Sequence, residues 1–139
     1  MKPAITIAMR SPARLLAVIL LLPFWTGCNR ENPRLLPREM AGVWTTHEPR
    51  YQGRFLELSP SYVMIGTGPT EIPKVQVIDT VKREKAGEET AYTINSTDLN
   101  GEHYEMTLLF NPAHGGELHF KNQANVVWRR YPDEVFLAR

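Results

Sequence analysis

Lys74-Val75-Gln76-Val77-Ile78-Asp79-Thr80-Val81-Lys82-Arg83 decides the fold. Apolar and polar side chains alternate along it with a period of two, the signature of a half-buried strand. Val75, Val77 and Val81 share one face, with Asp79 the misfit among them. The other face carries Lys74, Gln76, Thr80 and Lys82, with Ile78 apolar among them. The same period continues on both sides. Gly42–Thr46 is rich in strand formers, Arg54–Leu58 alternates until Pro60, and Tyr62–Ile65 runs into the turn Gly66-Thr67-Gly68-Pro69. After a polar hairpin loop over Glu84–Glu89, the segment Thr90–Ser96 puts Tyr92 and Ile94 on one side. Tyr104, Met106, Leu108 and Phe110 then share a face, as do Leu118 and Phe120 beyond the turn Asn111–Gly116. Val126–Tyr131 is the last strand, and Pro132 stops it. No stretch of ten residues holds a helical period. About eight short strands with turn signals between them define an all-β, small antiparallel meander, with a barrel favoured over a sandwich.

One hairpin register follows from packing. A two-residue turn at Asn100-Gly101 would place Asn95 opposite Met106 and Thr93 opposite Leu108, mixing polar and apolar on one face. A three-residue loop with Gly101 in the left-handed region pairs Ile94 with Met106 and Tyr92 with Leu108 instead. A one-residue slip flips every side chain, so the apolar match selects the second arrangement. Asp98 is then expected to face Glu102.

The N-terminus has a different character. Lys2, Arg10 and Arg14 precede the apolar run Leu15–Leu22, extended by Pro23, Phe24 and Trp25. A basic start followed by an apolar stretch of about 7–15 residues is the pattern of a secretory signal peptide. A membrane-spanning helix needs about 20 apolar residues, and charge returns at Arg30. A start at Met9 would give a tighter basic region.

The run closes on Thr26-Gly27-Cys28, which resembles the lipobox of bacterial lipoproteins. Cys28 is the single cysteine of the chain. The resemblance implies cleavage before Cys28, a diacylglyceryl thioether on its sulfur and an acyl chain on its amine. Residues 1–27 would be the signal peptide, 28–41 a lipidated tether and 42–139 a single β domain. One acyl chain binds a membrane only marginally, whereas two or three hold a protein there. Asn29, where Asp would favour inner-membrane retention in enterobacterial lipoproteins, points to the periplasmic face of the outer membrane. Loss of residues 1–27 leaves thirteen basic against fifteen acidic residues. Such a balance offers no electrostatic footprint for nucleic acid. With no thiol left for a disulfide, the domain must rely on its core.

Gly42-Val43-Trp44 resembles the Gly-x-Trp motif at the first strand of lipocalin and related calycin barrels. That resemblance implies a tryptophan closing one barrel end under an arginine from the last strand, here Arg129 or Arg130 against Trp44. It also implies a short turn over Pro37–Ala41. The barrel interior would be the ligand site, lined or filled by Tyr92, Ile94, Tyr104, Met106, Leu108, Leu118 and Phe120. In so small a barrel, filling is favoured.

Catalytic chemistry is harder to find. The four histidines, His47, His103, His114 and His119, form no His-x-His or His-x-x-x-His pair. A loose outward patch of His103, Glu105, Glu117 and His119 is the one conceivable metal site, and solvated strand residues are its ordinary explanation. No Gly-x-Ser-x-Gly elbow occurs. The carboxylate pairs Glu88-Glu89 and Asp133-Glu134 fall in a turn and near the terminus. No cofactor is expected and no enzymatic activity. Outward Phe55, Ile78 and Leu109, and the apolar tail Val135-Phe136-Leu137, are candidate contacts. The expectation is a lipid-anchored envelope protein acting through a protein partner, with carriage of a small apolar ligand as the alternative.

Overall fold

The computed structural model describes residues 32–132. Cys28, the segment before it and the tail Val135-Phe136-Leu137 lie outside the described residues. Eight strands run in sequence order: β1 (Gly42–Thr45), β2 (Phe55–Leu58), β3 (Tyr62–Gly66), β4 (Lys74–Ala86), β5 (Glu89–Asp98), β6 (His103–Asn111), β7 (Glu117–Phe120) and β8 (Gln123–Arg130). Each pairs antiparallel with the next, and β8 returns to β1 through Trp44 opposite Arg130 and Thr45 opposite Arg129. The result is a closed, up-and-down barrel of lipocalin-like architecture. Among the described residues no helix is long and apolar enough to cross a membrane.

Alternation along the strands fills the interior. Trp44, Leu56, Leu58, Val63, Tyr92, Ile94, Leu108, Phe110, Leu118, Val126 and Trp128 are buried. Each such side chain contributes roughly 1.5–3 kcal/mol relative to exposure. The β5–β6 hairpin has the expected register, with Ile94 opposite Met106 and Tyr92 opposite Leu108. The Asp98 amide donates to the Glu102 carbonyl at 2.9 Å. Gly101 holds φ +83°, a conformation glycine adopts without the clash of a Cβ.

The deciding stretch folds differently from its simple alternation. A bulge between Ile78 and Thr80 makes Asp79 an extra residue in β4. Before it, Gln76 and Ile78 point inward and are buried, while Val77 is 52% exposed. After it, Val81 stands opposite Ile94 and packs on the core. Val75 and Val77 therefore lie outside, contrary to the shared face expected for them with Val81, and Ile78 is a core residue rather than an outward one. The cause is electrostatic. An inward Asp79 would be a buried, unpaired carboxylate, whereas the bulge leaves it outside, accepting a hydrogen bond from the Thr97 hydroxyl at 2.6 Å. The buried Gln76 is satisfied from within, its carbonyl accepting from Ser96 Oγ at 2.9 Å.

Two connections also differ in length. Glu84–Glu89 is not a six-residue loop: Ala86 pairs with Glu89, and the turn is Gly87-Glu88 alone, with Gly87 at φ +67°. Upstream of β1, the described part of the segment read as a tether packs on the barrel as a strap. Val81 donates its amide to Pro33 O at 2.6 Å, and Leu36 donates to Pro60 O at 2.9 Å. Leu36 and Met40 are buried in the core cluster, and a single 3-10 turn spans Arg38–Met40.

Candidate functional site

The antiparallel order gives the barrel two unlike ends. The strap, the β2–β3 turn, the β4–β5 turn and the β6–β7 loop sit at one. The β1–β2 and β3–β4 loops and the β5–β6 and β7–β8 turns sit at the other.

The strap end is shut. The indole of Trp44 is fully buried and donates from Nε1 to Met40 O at 3.0 Å. Its ring edge meets Phe110 in a T-shaped contact with centroids 6.2 Å apart. Above it lies the guanidinium of Arg130, with Cζ 4.9 Å from the ring centroid. Arg130 Nη1 donates to Ala41 O at 2.6 Å, and Nη2 donates to Glu39 O. Arg130 is therefore the arginine over Trp44. Arg129 points outward and pairs with Glu117 at 2.9 Å. Gly42 leaves room for this closure: it holds φ +142°, and a Cβ there would come within 3.3 Å of Arg130 Nη1.

The opposite end is a mouth. Tyr51, from the 3-10 turn Pro49–Tyr51, packs its ring 5.8 Å from Trp128, and its hydroxyl donates to Gln123 Oε1 at 2.8 Å. Phe120 meets Trp128 edge-on at 5.9 Å. With Arg54, Ile65 and Gln123 these rings surround an open cleft of about 280 Å³. Trp128 Nε1 is buried without an acceptor. Neither Tyr51 nor Trp128 belongs to a motif in the sequence. The phase of β8 held the signal for Trp128, since positions 126, 128 and 130 share a parity.

The residues expected to line or fill the interior divide by depth. Tyr92, Ile94, Leu108 and Leu118 are buried and fill it. Met106 and Phe120 pack on the core from the mouth side, and both border a notch of about 420 Å³ where β6 extends past the short β7. Tyr104 sits at the rim. Its hydroxyl donates to Glu102 Oε2 at 2.7 Å and lies 3.3 Å from Asp98 Oδ2. The hydrogen bond to Glu102, with desolvation and the Asp98 charge behind it, pushes the Tyr104 phenol up to about 12. Asp98 is held below the usual carboxylate value, chiefly by the Glu102 amide it accepts from, with the Asn100 amide adding to it.

The outward histidines do not converge. His103 lies near the mouth, where its Nδ1 is 2.9 Å from Thr97 Oγ1. That hydroxyl gives its one proton to Asp79, so His103 Nδ1 must be the donor. His119 lies towards the other end, 3.4 Å from Glu89, while Glu117 is engaged by Arg129. Among the described residues no group of three or more His, Cys, Asp or Glu side chains is placed to hold a metal ion. Comparison with protein-family models, with curated proteins and with solved structures finds no match for this chain.

Proposed function

We propose that this chain is an envelope lipoprotein, held by lipid on Cys28 at the periplasmic face of the outer membrane, and that its barrel is a non-catalytic module for binding a protein partner. The observation that carries the choice of module over carrier is the occupied interior: Trp44, Tyr92, Ile94, Leu108 and Leu118 fill the space an enclosed ligand would need. A carrier of a drug-sized molecule needs roughly 300–1,000 Å³ of largely enclosed cavity. The outer wall supports the same choice. Met64, Val75 and Val77 adjoin across β3 and β4 outside the barrel, with Tyr62 beside them, and Val77 is half exposed. The decisive experiment is purification of the lipidated protein from its own membranes, with co-purifying proteins and lipids identified. A stoichiometric protein partner lost on Val77→Glu supports the module. Recovery of no protein partner refutes it.

Carriage keeps one supporting observation, the mouth cleft beside an indole N–H that lacks an acceptor. A small apolar molecule with one acceptor atom fits that chemistry. Native mass spectrometry of the purified protein should then show a bound small molecule that Trp128→Phe releases.

A further inference from the structure

The two ends of the barrel differ in charge as well as in closure. Around the strap and the β4–β5 hairpin stand Arg34, Arg38, Lys82, Arg83, Lys85 and Arg130, against Glu39, Glu84, Glu88 and Glu89. The strap and hairpin by themselves thus carry five basic against four acidic side chains, an excess of one that Arg130 raises to two from its place over Trp44, and the remaining described residues have an excess of three negative charges. The hairpin projects past β3, while β5 stays paired with β6 as far as Thr90 opposite Phe110. The pairing of β3 with β4 ends at Tyr62 opposite Val77, while β4 and β5 continue together to Ala86 and Glu89. Every residue from Lys82 to Glu88 is exposed. Beside it the strap presents Leu35, 42% exposed, over an open apolar cleft of about 330 Å³ walled by Pro33, Leu36, Val81 and Tyr92.

Chain length ties this end to a membrane. Asn32 is four residues from Cys28, and four extended residues reach about 13–14 Å. A domain held that closely has little freedom to turn its strap end away. We propose that the strap end, through Arg34, Leu35, Arg38 and the Lys82–Lys85 side of the hairpin tip, docks on an anionic phospholipid surface, leaving the mouth directed away from it. This rests on lipidation of Cys28 as proposed above. The basic side chains are drawn to lipid phosphates, each such residue near an anionic leaflet raising partitioning about five-fold. Leu35 supplies apolar area at the headgroup boundary. The partial pairing of Lys82 with Glu84 at 2.8 Å moderates the attraction without cancelling it.

The single cysteine makes the test clean, because a lipidated Cys28 has no thiol and an introduced cysteine is then the one label site. Ala86→Cys at the hairpin tip and Asn100→Cys at the opposite end are each labelled with a fluorophore in the full lipidated chain. The proteins are reconstituted into phosphatidylcholine vesicles, with or without phosphatidylglycerol, that carry a headgroup nitroxide quencher. The Ala86 probe should be quenched several-fold more than the Asn100 probe when phosphatidylglycerol is present. The difference should shrink in about 1 M salt, where the screening length is about 3 Å, and in Arg34→Glu/Lys85→Glu. Equal quenching at the two sites, stronger quenching at Asn100, or indifference to phosphatidylglycerol would overturn the docking face. Co-flotation and the acyl mass on Cys28 report separately on the anchor. A chain that floats and is acylated but shows no end preference refutes the docking face alone. A chain that neither floats nor carries acyl mass refutes the anchor and the docking face with it.

Discussion

Replacing Arg130 with Ala should be far more damaging than the same change at its neighbour Arg129. Arg130 stacks 4.9 Å from the Trp44 centroid, on a ring with no exposure to water. A cation–π contact on a buried ring with a half-buried cation is worth about 1–2 kcal/mol. Its guanidinium also donates to the Ala41 and Glu39 carbonyls, and hydrogen bonds to charged groups contribute roughly 1.5–3 kcal/mol each. Arg130 is only half-buried, so water recovers part of both hydrogen bonds when it is removed. A net loss of about 3 kcal/mol follows. Arg129 makes one ion pair with Glu117, the two side chains being 62% and 25% exposed, and such pairs are worth roughly 0–1 kcal/mol. Arg130→Lys keeps the charge but not the planar fork, and should fall between the two. The assay is urea and thermal unfolding of the Cys28→Ser chain. In a domain of this size about 3 kcal/mol lowers Tm by roughly 10–25 °C, with the urea m-value unchanged. A double-mutant cycle with Trp44→Leu should give a coupling of about 1–2 kcal/mol. An Arg129→Ala variant as unstable as Arg130→Ala, or a coupling near zero, would refute the closure described for the strap end.

Leu36→Ala should cost about 2–5 kcal/mol and Leu35→Ala within about 0.5 kcal/mol, because the strap buries the first in the core and leaves the second exposed; unfolding of the two variants checks this. A Cβ on Gly66 would sit 2.1 Å from the Phe55 ring, so Gly66→Ala should cost about 1–3 kcal/mol, and most of that penalty should vanish in a Phe55→Ala background. The Tyr104 phenol, pushed up to about 12, should ionise well above the ordinary tyrosine value in an absorbance titration of the folded protein, and that late step should be absent from Tyr104→Phe. Because its folded value lies above the unfolded one near 10, the stability it contributes is complete below about pH 10 and is lost as pH rises towards 12. Tyr104→Phe should flatten that alkaline limb, and a titration in which every tyrosine ionises near 10 would contradict the rim geometry.

The all-β class and the β5–β6 register were legible because both rest on local pattern: period two, and an apolar match that a one-residue slip would destroy. The β4 face was not. Val75 and Val77 look like core by type and spacing, but the phase changes at Asp79. The misfit there was the readable sign of a bulge, and Gln76 concealed it, since a buried glutamine needs a partner from another strand. The ordering of Pro33–Met40 was hidden for a similar reason. Nothing in its composition supplies the Pro60 and Val81 backbone partners that fix it. Arg130 over Arg129 could have been chosen from the parity of Val126 and Trp128. Tyr51 gave no such sign, because its place beside Trp128 depends on the path of a loop.

Closure of the barrel sets a schedule for its assembly. The contact between Arg130 and Ala41 joins positions 89 apart in the chain, and β1 has no second neighbour until β8 exists. A polypeptide that emerges from its N-terminus therefore carries an unpaired edge on β1 until residues 123–130 arrive. Bare strand edges invite pairing with other chains, and long-range pairing of this kind is slow. The last strand is thus the kinetic checkpoint of the molecule. A chain interrupted before Gln123 is left as an open, adhesive sheet.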